Sequence, residues 1–233
     1  MRVTHSAKKN VGILWYRDGT RSPIIAMTIS SSISLPATSA SPAVRSAVIL
    51  ARGLGTRMRK DDPGAQVGAD QAAVAAAGMK GMIPIGRPFM DYVLSALADA
   101  GFARICLVIG PEHDAVRNHY EKTAPPRRIS VEFAVQAEPR GTADAVLAAE
   151  EFAARNPFVV LNSDNYYPAD ALLRLRESAA PAMIGFARSG LIESGNVLPE
   201  RVGRFGALEI DGAGYLTSIT PRGGARPRSD GET

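Results

Sequence analysis

The sequence contains very little cysteine and no long apolar run. Cys106 is the only cysteine among 233 residues, which excludes an internal disulfide framework and any metal site built from several cysteines. No apolar stretch approaches the ~20 residues that a membrane-spanning helix needs, so no membrane partner is expected. Because Cys106 lies in an apolar run at residues 104–109, we predict a buried, unreactive thiol. A reducing compartment, the cytoplasm, is the expected location.

A basic block of the kind that binds a polyanion is also missing, although the formal net charge is +4. Residues 1–45 carry six basic groups and one acidic group, whereas residues 46–233 carry 21 basic and 22 acidic groups. The excess positive charge therefore belongs to the leader, and the remainder of the chain is nearly neutral. Nucleic acid is not an expected partner.

The chain divides by composition into three parts. Residues 1–45 predict a disordered, serine-rich leader, with eight Ser or Thr residues and two prolines in residues 28–45. A secretory signal and an organelle transit peptide stay open as alternatives, and Met27 is an alternative start. Residues 46–220 predict one domain, and the Gly-, Pro- and Arg-rich residues 221–233 predict a disordered tail.

A glycine turn directly after a predicted strand is the most informative stretch. The short apolar run at residues 47–51 predicts a buried strand, and Gly53 and Gly55 predict a sharp turn with exposed N–H groups. Arg57 adds a guanidinium group, which matches phosphate oxygens in pairs. The stretch therefore predicts phosphate binding, with a plain turn between strand and helix as the alternative. Met58 replaces the third glycine of a dinucleotide fingerprint, and Gly-Thr-Arg replaces the Gly-Lys-Ser/Thr of a P-loop.

Two later segments place polar residues where a strand ends. Residues 136–145 predict a strand end, a turn, and a helix capped by Gly141 or Thr142, and a plain loop is the alternative. Asp164 follows the apolar strand predicted at residues 158–161, and open α/β sheets bind ligands at that edge. By itself an Asp there is equally typical of a helix cap or a turn. His113 and His119 are predicted to be solvated surface residues.

These segments, taken in order, resemble the sugar-phosphate nucleotidyltransferases (NDP-sugar pyrophosphorylases). Residues 50–58 resemble the pattern L-A-A/G-G-x-G-T-R-L/M, with Arg52 in place of a small residue. Residues 79–92 resemble P-K-x-L-x-P-V-x-x-K/R-P and its apolar continuation, with Met79 in place of proline. An insertion over residues 61–78 separates the two segments. The resemblance covers residues 46–220.

The other two segments continue the resemblance. Residues 136–145 resemble Q-x-x-P-x-G-T-A-D/Q-A, and the run at residues 156–167 resembles the L-x-x-G-D-N/H segment, with Ser163 in place of glycine. The resemblance implies a Rossmann-like α/β nucleotidyltransferase fold, with a mainly parallel sheet and helices on both faces. The residue patterns add a C-terminal β-hairpin, with its turn at Asp211 and Gly212.

The resemblance also implies a reaction and a set of site residues. A sugar 1-phosphate and a nucleoside triphosphate would give an NDP-sugar and pyrophosphate, with Mg²⁺ as cofactor. Arg57 and Lys80 would be catalytic, and Asp164 would bind Mg²⁺. The implied nucleotide-binding residues are Ala51, Gly53, Leu54, Gly55, Thr56, Gln136, Gly141 and Thr142.

The resemblance stops after the hairpin, before the segments expected to complete the sugar pocket and the second metal ligand. We therefore expect a domain that is incomplete at its sugar-binding side. Two alternative functions stay open: a nucleotidyltransferase with a non-sugar acceptor, similar to cytidylyltransferases, and a truncated, non-catalytic nucleotide-binding remnant. The base, the sugar and the oligomeric state stay open, with a homo-oligomer allowed.

Overall fold

The computed structural model describes residues 2–5, 13–15, 25–28, 43–53, 74, 79–178, 180–193, 197–203 and 205–220. The strands are β1 (Arg2–His5), β2 (Ile13–Trp15), β3 (Ile25–Thr28), β4 (Ser46–Leu50), β5 (Pro84–Ile85), β6 (Arg87–Pro88), β7 (Arg104–Ile109), β8 (Ser130–Val135), β9 (Phe158–Asn162), β10 (Ala182–Ala187), β11 (Gly206–Ile210) and β12 (Leu216–Thr220). The α-helices are α1 (Phe89–Asp99), α2 (Asp114–Asn118), α3 (Thr142–Leu147), α4 (Glu150–Ala153), α5 (Ala169–Glu177), α6 (Arg188–Glu193) and α7 (Pro199–Val202). A 3₁₀ turn at Lys80–Met82 precedes α1, and a π turn at His119–Thr123 follows α2.

Four neighbouring parallel strands form one end of the sheet, in the order β9, β4, β7, β8. Val48 in β4 lies opposite both Cys106 in β7 and Val160 in β9, so the strands end at one level. Pairing continues past the strand ends, where the Ala51 amide donates to the Val108 carbonyl at 2.8 Å. The chain therefore leaves all four strands at the same edge of the sheet.

The alternation of apolar side chains along these strands builds two cores. Ile49, Leu107 and Leu161 belong to the larger cluster, to which α1, α2 and α5 also contribute buried residues. Val48 and Cys106 face the opposite side and pack against Phe152 of α4, together with residues of α3. Because successive strand side chains point to opposite faces, uninterrupted apolar runs require helices on both faces. The predicted α/β architecture is confirmed.

The C-terminal hairpin is also confirmed. β11 and β12 pair in antiparallel fashion and join through a turn at residues 211–215. The Asp211 carboxylate accepts hydrogen bonds from the backbone amides of Ala213 and Tyr215, each at 2.9 Å. An aspartate that satisfies its own turn in this way is the reason this position favours Asp.

Three segments of the predicted disordered leader form strands. β1 pairs in antiparallel fashion with β10 and β11, β2 lies antiparallel between β9 and β10, and β3 pairs in parallel with β10. Each segment contains at least one β-branched residue, and such residues suit strands. Val44 is buried, and its amide bonds the Arg176 carbonyl at 2.9 Å, so packing begins before residue 46. The predicted tail at residues 221–233 lies outside the described residues.

The helix that follows β7 is short, because it begins at Asp114 and changes to the π turn at His119. The insertion expected over residues 61–78 lies outside the described residues except for Val74. Within the described ranges, no helix is long and apolar enough to cross a membrane.

Cys106 gives the first test of this packing. The thiol is 1% exposed, and its burial raises its pKa to about 12, with the nearby Glu132 carboxylate acting in the same direction. At pH 8 only about one thiol in 10⁴ would be ionised, and the thiolate is the reactive form. We expect a disulfide reagent such as Ellman's to label the native chain very slowly and the guanidinium-unfolded chain completely. Labelling of the native chain at the rate of a free thiol would contradict the buried position.

Candidate functional site

A cleft of about 320 Å³ opens at the carboxyl edge of the parallel sheet. Its described walls come from the ends of β4, β8 and β9, from the 3₁₀ turn and from the start of α3. The described residues that line it are Leu50, Ala51, Arg52, Gly53, Lys80, Gln136, Pro139, Gly141, Thr142, Ala145, Asn162, Ser163 and Asp164. Ligands of open α/β sheets bind at this edge, so the cleft is the leading candidate site.

The predicted site residues meet in this cleft wherever they are described. Seven of them line it: Ala51, Gly53, Lys80, Gln136, Gly141, Thr142 and Asp164. The other four, Leu54, Gly55, Thr56 and Arg57, lie outside the described residues. The individual roles implied for all eleven residues stay predictions.

Lys80 and Asp164 form an ion pair inside the cleft. The Lys80 Nζ atom lies 3.4 Å from Asp164 Oδ2, although 84 residues separate them in the sequence. Their side chains are 21% and 24% exposed, so both charges remain within reach of a ligand in the cleft. The pair therefore places one cation and one anion side by side at the sheet edge.

Gly81 explains how Lys80 reaches this position. A Cβ atom on Gly81 would lie 2.6 Å from Met90 Cε and 3.3 Å from Ser163 Cβ. The 3₁₀ turn therefore packs closely between α1 and the residue that precedes Asp164. Only a residue without a side chain permits this approach unless Met90 moves.

Gln136 lies at the end of β8 and is 4% exposed. Its Nε2 atom donates to the Gly141 carbonyl at 3.1 Å and to Asp144 Oδ2 at 2.7 Å. Gly141 has a φ of 117°, in the region that favours glycine, and α3 begins at the next residue. The loop from residue 136 to residue 144 is therefore closed on itself by the Gln136 side chain.

Arg52 also lines the cleft, although in the sequence it stands out only as a departure from a small residue. Its guanidinium donates to the Gln136 carbonyl, and its Nε donates to Glu112 Oε1 at 3.5 Å. The Arg52 side chain is only 8% exposed. The pKa of the Glu112 carboxyl lies below its ordinary value, because the Glu112 backbone N–H donates a hydrogen bond to it and the Arg52 charge is nearby. Arg52 thus ties the ends of β4 and β8 to the loop after β7.

The sequence does contain a signal for this role of Arg52, which is a positive charge directly after a buried strand. A guanidinium at such a position is rarely tolerated without partners. Sequence alone does not identify those partners, because Glu112 and Gln136 are 60 and 84 residues away. Only the parallel pairing of β4 with β7 and of β7 with β8 brings them together.

The prediction that His113 is a solvated surface residue is wrong. His113 is 4% exposed, and its Nδ1 accepts a hydrogen bond from the Gly110 amide at 3.3 Å. The chain folds back sharply after β7, because the His113 amide in turn donates to the Gly110 carbonyl at 3.1 Å. His119 is more exposed, with a side chain that is 20% accessible.

Comparison with known proteins yields one family and several relatives. The family model described as nucleotidyl transferase matches residues 67–220, more than half of the chain. The bifunctional protein GlmU of Bradyrhizobium sp. is 35% identical over 147 residues, covering 60% of this chain and 28% of that protein. The UTP–glucose-1-phosphate uridylyltransferase AglF of Haloferax volcanii is 27% identical over 180 residues, covering 74% of this chain and 63% of that protein. The chain therefore spans less than two thirds of either relative.

A solved structure of a UDP-glucose pyrophosphorylase complexed with UDP-glucose has a similar fold. The TM-score is 0.53 at 14% sequence identity, and the match covers 77% of this chain and 69% of that chain. At this identity the likeness concerns the fold alone. The glycine turn at residues 50–58 precedes the range that the family model matches, so the match rests on the later segments.

Replacing Arg52 tests whether it is a buried anchor. Arg52→Ala would leave the Gln136 carbonyl and the Glu112 carboxylate without their shared donor. We expect the free energy of unfolding, measured in urea, to fall by about 1–3 kcal/mol. Arg128→Ala is the matched control, because Arg128 pairs with Asp99 at 2.7 Å while both side chains are more than half exposed. Such exposed pairs contribute about 0–1 kcal/mol, so equal losses in the two variants would refute the anchor role.

Proposed function

Because the chain belongs to the nucleotidyl transferase family, we propose that it joins a nucleoside triphosphate to a sugar 1-phosphate, forming an NDP-sugar and pyrophosphate. The observation that carries the proposal is the meeting of Lys80, Gln136 and Asp164 in one cleft at the carboxyl edge of the sheet. The pyrophosphorylase type of the relatives supports the sugar 1-phosphate as the acceptor.

The cleft offers separate surroundings for the base and for the phosphates. Gln136 and Gly141 stand on the β8 side, where a buried amide side chain and an exposed glycine backbone suit the edge of a base. Lys80 and Asp164 stand on the β9 side, where the charges are. Ala51 and Gly53 lie at the end of β4, which separates β8 and β7 from β9 in the sheet. A nucleotide would therefore lie across the end of β4.

The proposed reaction is an in-line displacement at the α-phosphorus. A phosphate oxygen of the sugar 1-phosphate forms a bond to that phosphorus, and the bond from it to the bridging oxygen of the β-phosphate breaks. Pyrophosphate leaves with the electron pair. Such a transfer depends on positioning and on neutralising phosphate charge, and the Lys80 ammonium is placed to contribute to both.

The residues present fit a Mg²⁺ ion that is shared with the substrate. Within the described part of the chain, no group of three or more His, Cys, Asp or Glu side chains could hold a metal by itself. Mg²⁺ at phosphate sites typically takes one or two carboxylates and completes its shell with phosphate oxygens and water. Asp164 would be that carboxylate, with its ion pair to Lys80 exchanged for the metal. When bound, Mg²⁺ supplies charge neutralisation at the phosphate oxygens.

Pyrophosphate release tests the reaction directly. The purified chain would be incubated with each of several nucleoside triphosphates and hexose 1-phosphates in Mg²⁺, and pyrophosphate would be measured by a coupled assay. We expect release with one pairing of substrates and its loss in excess EDTA. Reactions without a sugar phosphate are the control for triphosphate hydrolysis. Silence with every pairing from a folded sample would contradict the proposed activity and favour a protein that only binds nucleotide.

Replacement of Asp164 tests the assigned site. Asp164→Asn keeps the size of the side chain but removes the charge that would hold Mg²⁺, and we expect kcat to fall by about 100-fold or more. Asp170→Asn is the matched control, since Asp170 is exposed in the first turn of α5 and does not line the cleft. Circular dichroism would verify that both variants are folded. Near-normal turnover by Asp164→Asn would remove Asp164 from the mechanism.

A further inference from the structure

We propose that a second groove, between α1 and the segment that leads into β8, binds a phosphate monoester with a flat apolar substituent. The groove has a volume of about 230 Å³, and three arginines line it: Arg87, Arg127 and Arg128. We call it the arginine groove. None of its described lining residues lines the cleft at the carboxyl edge, so the proposal does not depend on the proposed reaction.

The arginine groove reaches the opposite edge of the sheet. Ile129 lines it directly before β8 begins, whereas Gln136 lines the cleft directly after β8 ends. At the usual rise of a strand, these two positions are roughly 20 Å apart. A ligand at this end of the groove would therefore be distinct from a nucleotide in the cleft.

The side chains of Arg87 and Arg128 meet on one face of α1, although they come from different segments. Arg87 precedes α1, and its guanidinium lies over the Tyr92 ring with Nη2 3.5 Å from the Ser95 hydroxyl. Arg128 follows the π turn, and its Nη1 atom donates to Asp99 Oδ1 at 2.7 Å. Side chains four residues apart, such as Ser95 and Asp99, are neighbours on a helix. The two guanidiniums therefore stand about one helical turn apart along α1.

Arg127 adds a third guanidinium beside Arg128. Arg127 is exposed, and its side chain makes no hydrogen bond or ion pair with any other described residue. Guanidinium groups donate hydrogen bonds in pairs and match the oxygens of phosphate. Three such groups suit a doubly charged phosphate better than a singly charged carboxylate.

The acidic groups at the groove are already engaged. Asp91 lines it, but its Oδ1 atom accepts a hydrogen bond from the Tyr120 hydroxyl at 2.8 Å and lies 3.9 Å from His119 Nε2. Asp99 lies at the rim and is paired with Arg128. Three positive charges therefore stand against two negative charges that have partners, and an anion is the favoured ligand.

Apolar side chains line the deeper part of the groove. Leu94, Tyr120 and Ile129 all line it and are all buried. Ligand sites commonly combine such an apolar surface with a few charged groups that fix the orientation of the ligand. A flat ring would lose contact with water on this surface while its phosphate binds the arginines. This combination defines the class of ligand.

The experiment titrates the full chain with phenyl phosphate and with inorganic phosphate and obtains dissociation constants by nuclear magnetic resonance. We expect phenyl phosphate to bind about 5-fold or more tightly than inorganic phosphate, because its ring adds apolar burial. Equal binding of the two probes, or no binding of phenyl phosphate, would overturn the proposal.

Arg127→Ala tests the arginines. The substitution should weaken phenyl phosphate binding about 5-fold or more, because it removes one charged donor from the phosphate. Since Arg127 has no described side-chain partner, the variant is expected to fold normally. Arg174→Ala is the matched control, because Arg174 is an exposed arginine of α5 that lines neither cavity, and its loss should leave binding unchanged.

Lys80→Ala distinguishes the arginine groove from the cleft, which also offers a cation to phosphate. Phenyl phosphate should bind this variant as it binds the unchanged chain. Loss of binding in Lys80→Ala together with normal binding in Arg127→Ala would place the probe in the cleft and overturn the proposal. Pyrophosphate release is measured separately, so a chain without that activity but with the expected binding supports the arginine groove and contradicts only the proposed reaction.

Discussion

The structure depends on the parallel register of β4 with its two neighbours. Each residue of β4 lies opposite one residue of β7 and one of β9, and nearly all of its side chains are buried. A parallel sheet that is buried on both faces permits little slippage, because a shift by one residue would exchange the two apolar faces. This register aligns the strand ends, and the aligned ends bring residues 51–53, the 136–144 loop and Asp164 to one cleft.

The cleft is organised by paired charges and by hydrogen bonds that are partly shielded from water. Lys80 with Asp164, and Arg52 with Glu112, join segments that are 84 and 60 residues apart. Shielding strengthens such contacts and also raises the cost of leaving one partner alone. An arrangement held in this way is fixed before a ligand binds, which would reduce the cost of positioning in the proposed transfer.

The residues at which this chain departs from the resembled pattern have structural explanations in two cases. Ser163 replaces a glycine, and its Cβ atom packs against the 3₁₀ turn at Gly81, where no side chain is present. Arg52 replaces a small residue and gains the Gln136 carbonyl and Glu112 as partners. In both cases a larger residue at one strand end is accommodated by a residue on another segment.

Much of the fold and part of the candidate site could be predicted from local sequence. The apolar runs of β4 and β9 and the Asp211 turn are local patterns, and the structure has them where they were predicted. The leader was harder, because its three strands are only three or four residues long and their pairing with β9, β10 and β11 is not a local property. His113 was misjudged for the same kind of reason, since its burial follows from a turn back onto Gly110.

By itself the sequence determined which residue types were available for phosphate and base chemistry and in what order they occur, because propensity, periodicity and turn chemistry act between near neighbours. The tertiary structure decided which of them meet: Lys80 with Asp164, Arg52 with Gln136 and Glu112, and Gln136 with the far end of its own loop. Those contacts depend on strand order and register, which result from burial summed over the whole sheet and are written in no single segment.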